Sequence, residues 1–498
     1  MRYTISAKGM RQLEGKWMEA HGVPGALLME HAAQGIVAAL KRTIPDGTAV
    51  FLCGPGNNGG DGYAAARLWH QQGGRAMVLS WGEAQTRDAV MNDRLCHLSK
   101  VPMSRLDKSS SLSEGDVLVD ALLGIGLDRP VEGELAELIR RINGSGKPVL
   151  AVDIPSGLSA DTGKILGNAV QADQTVTFHQ VKSGMVMGDG PECCGEITVH
   201  PILIGQQQAE EKWRYAEPGD LRLIPPRPCS GHKGTFGKAV LVAGSMGMAG
   251  AAAAAANACI CTGAGLTFLA CWQELVPVVQ HLAPGAICIP LAIHGDTLSH
   301  DSREALLRAL SGADACAIGC GMGFHPAGRQ VLQLTADAPC PVVWDADALT
   351  WMAQGVVKPR AEDMMTPHPG ECARLLGCSV ADVCANPEAA LEKLWCTYGC
   401  SVLLKGHRTL MTDGKGRAVN VYGTPAMAKG GSGDVLTGIL AALLCRRASG
   451  WQGDSLTIMQ LGAMIHGLAG ERAAASSGEN SVTMERLIAA IDLRPTSC

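Results

Sequence analysis

The residues best placed to do chemistry lie in one short stretch, Lys429-Gly430-Gly431-Ser432-Gly433-Asp434. An apolar run from Val435 to Leu444 follows directly and reads as a buried helix. The glycines therefore fall at a helix N-terminus, where unpaired N–H groups and the positive end of the helix dipole face whatever lies in front. Such a place suits a phosphate. An acid beside a phosphate is costly unless it has a task. The natural task for Asp434 is to take a proton from a substrate hydroxyl while the amides hold the phosphoryl group. A glycine-rich turn with Asp434 as a helix cap accounts for the spacing equally well.

Three other glycine loops follow strand-like runs. Gly54-Pro55-Gly56-Asn57-Asn58-Gly59-Gly60-Asp61-Gly62 comes after Ala49–Cys53 and opens a helical pattern, the setting that cradles phosphates. Its asparagines and acid add amides and oxygens able to hold a cation or sugar hydroxyls. A tight turn with left-handed asparagines is the simpler alternative. Gly244–Gly250 opens an alanine-rich helix, whose small residues admit either another helix or a ligand ring. Ile318-Gly319-Cys320-Gly321-Met322-Gly323 is the third. Two strand-like runs, 117–120 and 149–153, end in acids, Asp120 before Leu123-Gly124-Ile125-Gly126 and Asp153 before Ile154-Pro155-Ser156-Gly157. Parallel sheets bind ligands at that end, so Asp61, Asp120 and Asp153 should converge on one rim. In the second half, His368 is fixed between Pro367 and Pro369, with Glu371 in a helical first turn. The strand Ser401–Lys405 ends in a lysine that could counter a phosphate or be merely solvated.

The elements that must position these residues alternate strand and helix, which predicts mostly parallel sheets. Helical patterns fill 10–43, with Pro24 opening the second of two, and recur at 85–99 and 132–143. Further strands fall at 76–80, 266–270, 286–290, 313–318 and 341–344. Residues 173–204 read as closing strands. Polar residues 205–215 read as a linker, and a second α/β block starts near 216. The halves are not a tandem repeat. The length of 498 residues calls for at least two domains, and 47% hydrophobic against 18% charged residues supports large cores. A net charge of −5 without a long basic run argues against nucleic acid or an anionic membrane as partner. The 19 cysteines contain no C-x-x-C pair and sit mostly in apolar runs, as buried reduced thiols of a cytoplasmic protein would. The N-terminus has no signal-peptide pattern, and no apolar run is long enough to span a bilayer.

Several of these motifs together carry a resemblance. The first half resembles the YjeF N-terminal family of NAD(P)H-hydrate epimerases, through Gly56–Gly62, Val119–Gly126 and Val152–Gly157. The second half resembles the ribokinase-like, ADP-dependent NAD(P)H-hydrate dehydratases. That likeness runs through His232-Lys233-Gly234, Asp345–Leu349, Pro367–Glu371, Leu404-Lys405-Gly406 and Gly430–Asp434. The resemblance implies an α/β chain: a Rossmann-like three-layer αβα domain over 1–210, then a ribokinase-like αβα domain over 216–498. It implies that Asn57, Asn58, Gly59, Gly60 and Asp61, with Gly124, Ile125, Gly126, Leu127, Asp128, Arg129 and Pro130, hold the hydrated nucleotide. Asp153 would bind it too and act as acid/base in epimerisation, while Asn58, Asp120 and Ser156 match positions that bind potassium. In the second half Ala249, Gly321, His368 and Asp434 would bind the hydrate, with Asp434 as catalytic base. Lys405, Gly406, His407, Arg408, Thr409 and Gly433 would bind the adenine nucleotide. The implied reactions are epimerisation of the R and S hydrates and dehydration of the S form at the expense of ADP, with magnesium bridging the phosphates and AMP and phosphate released. Departures are Cys320 where the family usually has proline, Ala33 for a usual glycine, and Met246 and Met248 in a commonly more polar loop. A ribokinase-like small-molecule kinase with an N-terminal ligand-binding domain is the rival reading. The small-residue helices and paired domains suggest a homo-oligomer.

Overall fold

The structure, a computed structural model, describes residues 1–107, 110–205 and 212–495, so most of the expected linker lies outside the described residues. The chain packs as two compact units, Tyr3–Trp213 and Arg214–Cys498 with Met1–Arg2.

In the first unit seven strands run in the order Met103–Arg105, Arg75–Ser80, Thr48–Cys53, Val117–Ala121, Val149–Val152, Gln174–Phe178 and Glu196–His200, all parallel. The central strands are buried along their whole length, as expected where helices cover both faces. One core packs helices Ala7–His21, Gly25–Thr43 and Asn57–Gln71 on one face. Another packs Gly133–Asn143 on the other. The first helix starts where Ser6 accepts from the Gly9 N–H at 2.9 Å and stops at left-handed Gly22. Pro24 is the N-cap of the second helix rather than its first residue.

In the second unit the parallel part of the sheet runs Ser401–Leu404, Met364–Met365, Val342–Trp344, Ala315–Ile318, Lys238–Val242, Leu266–Trp272 and Ile287–Leu291. The strands Leu410–Thr412 and Arg417–Val419 extend it antiparallel, the first of them by a hairpin from Ser401–Leu404. The small residues of Ala249–Thr262 admit another helix: a Cβ on Gly438 of helix Ser432–Cys445 would lie 2.1 Å from the Ala255 carbonyl oxygen.

Both sheets share one property that fixes where ligands bind. In the first, the chain begins at Thr48–Cys53, winds outward to Met103–Arg105, then returns to Val117–Ala121 on the other side. In the seven-strand parallel run of the second it begins at Lys238–Val242, winds to Ile287–Leu291, then returns to Ala315–Ile318. The crevice beyond the carboxyl ends of such a strand pair is where doubly wound sheets take ligands. Loops 54–62 and 122–130 border it in one unit, and loops 244–248 and 319–323 in the other.

Candidate functional site

In the first unit the glycine loop and its neighbour approach at backbone distance. A Cβ on Gly54 would fall 1.8 Å from the Leu122 carbonyl oxygen, and one on Gly59 would fall 1.8 Å from that of Gly54. Asn57 and Asn58 are not left-handed; both lie in the first turn of helix Asn57–Gln71, which no side chain caps. Its leading N–H groups therefore face the crevice. Ser156 bridges the two acid-ended strands. Its hydroxyl donates to Asp120 Oδ1 at 2.6 Å, its N–H donates to Asp120 Oδ2 at 2.8 Å, and its oxygen accepts from the Leu123 N–H at 2.8 Å. The Asn58 amide donates to the Leu123 carbonyl at 2.9 Å. Burial pushes Asp120 up to about 6 despite the hydrogen bonds from Ser156 and Leu122. Among the described residues no lysine or arginine pairs with it.

Asp153 has left-handed backbone at φ 64°, a strained conformation for a non-glycine residue and one that clusters at functional sites. Its Oδ1 accepts from the ammonium of Lys182, from the Thr177 hydroxyl at 3.1 Å and from the Phe178 N–H at 3.4 Å. Lys182 also donates to the Thr177 hydroxyl oxygen at 2.8 Å and the Phe178 carbonyl at 3.1 Å, and is fully buried. Two more acids face this pair. Burial, then the charges of Asp153 and Glu14, push Asp61 well above the usual carboxylate range. Burial, then Asp153, raises Glu14 to about 7, against the pull of Lys182. Thus Asp61 and Asp153 do converge, with Glu14, while Asp120 belongs to the neighbouring Ser156–Asn58 cluster. Residues 126 and 128–130 are exposed, forming the outer edge of the second loop. Lys182 and Glu14 were not visible as site residues in sequence. Lys182 is a lone cation in the mixed stretch Gln180-Val181-Lys182-Ser183-Gly184, and Glu14 lies beside Leu13 on an amphipathic helix.

In the second unit helix Ser432–Cys445 starts after left-handed Gly431, φ 93°, with no side-chain cap. Asp434 is thus not the cap; it lies in the first turn. Among the described residues the N–H groups of Gly433 and Asp434 have no acceptor. A Cβ on Gly433 would lie 3.3 Å from Lys405 Nζ, so the ammonium stands at the mouth of this helix. Lys405 is neither solvated nor free. It donates to Asp345 Oδ1 at 2.7 Å and lies 3.8 Å from Glu371. Thr437 donates to Asp345 Oδ2 at 2.7 Å. Burial works against the Asp345 charge, but Lys405 and Thr437 prevail and hold its carboxyl below the ordinary value.

His368 caps helix Pro369–Leu376, its Nδ1 accepting from the Gly370 N–H at 2.9 Å, while Glu371 accepts from the His368 N–H at 2.8 Å. The imidazole is half-exposed, and its Nε2 lies 3.4 Å from Glu371 Oε1. Ala249 opens helix Ala249–Thr262, and a Cβ on Gly321 would lie 2.8 Å from Met248 Cβ, so the two crevice loops meet there. The loop 405–409 is the hairpin turn between Leu404 and Leu410; within it Arg408 donates to the Val421 carbonyl. Burial pushes Asp434 up to about 6, with Asp345 adding to the rise and Cys320 and Lys405 opposing it. This arrangement can hold a phosphoryl group on the amides and Lys405 with a base beside it.

The fold defines a fused pair of doubly wound αβα units, the second of ribokinase-like architecture. A ribokinase-like superfamily protein from Enterococcus faecalis shares this architecture, at a TM-score of 0.50 and 25% identity over 58% of this chain and 96% of that one. Family profiles match residues 25–184 as YjeF-related protein N-terminus and residues 239–493 as NAD(P)H-hydrate dehydratase. The bifunctional NAD(P)H-hydrate repair enzyme of Thermofilum pendens is 35% identical, covering 96% of this chain and 93% of its own. That of Escherichia coli is 33% identical, covering 97% and 93%. The chain belongs to the family of bifunctional NAD(P)H-hydrate repair enzymes. Matches that span both halves do not favour the rival reading, a small-molecule kinase with an added binding domain. No helix among the described residues is long and apolar enough to cross a membrane, and every cysteine among them is a free thiol.

Proposed function

We propose that the chain repairs hydrated NADH and NADPH in two steps, epimerising the hydrates in the first unit and dehydrating the S form in the second. Hydration leaves a hydroxyl on the reduced nicotinamide ring, and hydroxide leaves poorly. In the second unit Asp434 takes the hydroxyl proton, the freed oxygen bonds to the terminal phosphorus of ADP, and the bond to AMP breaks. The C–O bond of this phosphate ester then breaks, phosphate leaves with the electron pair, the neighbouring ring carbon gives up a proton to water, and the ring double bond returns. The Gly433 and Asp434 amides and Lys405 hold the moving phosphoryl group, and magnesium bound with the nucleotide would supply further positive charge there. Ala249, Gly321 and His368 border the hydrate, and the 405–409 loop borders the adenine nucleotide.

In the first unit the leading amides of Asn57–Gly59 and the 124–130 loop receive the hydrated nucleotide. Asp153 moves the proton that interconversion needs, oriented by Lys182. Asn58, Asp120 and Ser156 fit an alkali cation, because a buried carboxylate without a cationic partner sits among hard oxygen donors. Bound potassium would supply fixed positive charge for the substrate's phosphates.

The observation that carries the reading is the placement of Asp434 in an uncapped first turn with the Lys405 ammonium at its mouth. Purified protein, ADP and a mixture of hydrate epimers should restore the absorbance of reduced nicotinamide. Asp434→Asn should bind ADP normally and restore none; full activity in that variant refutes the assignment.

A further inference from the structure

A buried guanidinium without a counter-charge stands in the second unit, at the end opposite the crevice. Arg446 is 6% exposed and directly follows helix Ser432–Cys445, whose 14 residues hold it about 20 Å from the Gly433 amide. Its Nε is buried with no hydrogen-bond partner, and among the described residues its other nitrogens find no acceptor and no carboxylate pairs with it. A charge so placed is costly unless something neutralises it. The same unit satisfies another guanidinium fully: Arg360 donates to the Cys340 carbonyl at 2.6 Å and to Asp363 Oδ1 at 3.0 Å. Arg446 meets a second cation instead. Apart from its own chain neighbours, left-handed Gly263 has only two heavy atoms within 4 Å of the point a Cβ would occupy, Arg227 Nη1 at 3.5 Å and Arg446 Nη2 at 3.9 Å. The space beside Gly263 is therefore open and flanked by two guanidinium groups. Both also approach the Phe236 ring, Arg227 at 3.7 Å from its centroid and Arg446 at 6.0 Å. The ring's negative face offsets part of this charge but is a poor substitute for an anion. The carboxyl end of helix Ala249–Thr262 attracts cations too, yet its Cys259 and Ile260 carbonyls already accept from the Gly263 N–H. Thr262, the last residue of that helix, adds a buried hydroxyl that also lacks a partner. Burial, then the Arg227 charge, pushes the Arg446 guanidinium below its ordinary value, with no acid to oppose the fall.

We propose that Arg227, Arg446 and Thr262 form a second anion site, which takes a phosphate group, free or at the end of a small ester. Guanidinium forks match phosphate oxygens in pairs, and a dianion balances two cations that otherwise repel. The occupied site ties the proline-rich entry Pro225–Pro228, through Arg227, to the ends of two core helices. It stands a helix length from Asp434, so it does not depend on the catalytic reading of that residue.

The test is equilibrium dialysis of the full-length protein against radiolabelled inorganic phosphate in chloride buffer. The nucleotide site is filled beforehand with the non-transferable α,β-methylene analogue of ADP, so that it takes no label. The parent should retain one phosphate per chain. Arg446→Met keeps the apolar stem and removes the fork, so it should retain none. Arg227→Met, at an exposed position, should weaken retention about tenfold, the loss of one charge-assisted contact. ADP-dependent dehydration should stay within about twofold of the parent in both variants, because the two sites are far apart. Displacement of the label by excess glycerol phosphate identifies an ester as a ligand, and its failure to displace identifies the free ion. No label on the parent, or equal retention by Arg446→Met, overturns the site. If Arg446→Met does not fold, Arg227→Met decides alone, and undiminished retention there overturns the site as well.

Discussion

Replacing Lys182 by methionine tests the epimerase site most directly. The Lys182 side chain is 1% exposed and that of Asp153 is 12% exposed. Methionine keeps the length and apolar stem but removes a charge that three oxygens accept from. Asp153 is then left with the Thr177 hydroxyl and the Phe178 N–H, facing Glu14 and Asp61, both already raised by burial and then by the Asp153 charge. Removing one partner of a buried ion pair costs about 3–5 kcal/mol, so the first unit should open roughly a hundredfold or more often. Lys182 also holds Glu14 and Asp61 down, so its loss pushes both further up and the deficit should grow as pH rises from 5 to 8. Hydrogen exchange of peptides from 149–152 and 174–178 reads the opening in the intact chain. Activity gives a second readout. Given ADP and mixed hydrate epimers, the variant should repair the S share at the normal rate and then stall. Lys182→Met with Asp153→Asn should recover most of the stability, because no unpaired charge remains, yet still stall. If the single variant exchanges like the parent and repairs both epimers, Lys182 is a spectator and the reading of Asp153 as an oriented acid/base is wrong.

Three further outcomes are expected. Glu14 is raised from 4.5 to about 7, so its stabilising effect is complete below about pH 4.5 and lost as pH rises through 7; Glu14→Gln should flatten that slope in urea unfolding of the first unit. Gly431→Ala would force alanine into left-handed backbone, about 1–2 kcal/mol, and place its Cβ 1.8 Å from Met484 Sδ. Its KM for ADP should rise at least tenfold while epimerisation is unchanged, as measured by separating the hydrate epimers. Asp120→Asn should abolish any potassium dependence of epimerisation, whereas the parent should slow when potassium is exchanged for tetramethylammonium; equal rates in both salts would discount the cation reading.

The chemistry of both sites was written locally in the chain. Consecutive glycines before an apolar run mark a helix start open to an anion, and this needs no knowledge of the rest of the fold. The acids at strand ends and the alternation of strand and helix are equally local, and the parallel sheets agree with them. The finer alternatives were not local. Whether Asn57 and Asn58 formed a turn or a helical first turn depended on the close approach of Gly59 to the Gly54 carbonyl, and that of Gly54 to Leu122. Whether Lys405 was solvated depended on Asp345, 60 residues earlier.

Sequence by itself therefore determined the kinds of groups at each site and the elements that carry them, because turn chemistry and hydrophobic period act over a few residues. Tertiary structure alone decided which strand pair each crevice lies between, because strand order follows from how the crossovers pack and not from any one segment. It also decided the partners of the working acids. Lys182 reaches Asp153 across 29 residues, and Lys405 reaches Asp345 across 60, and no periodicity records either meeting. Only burial brings such groups together, and burial is also what makes their charges matter.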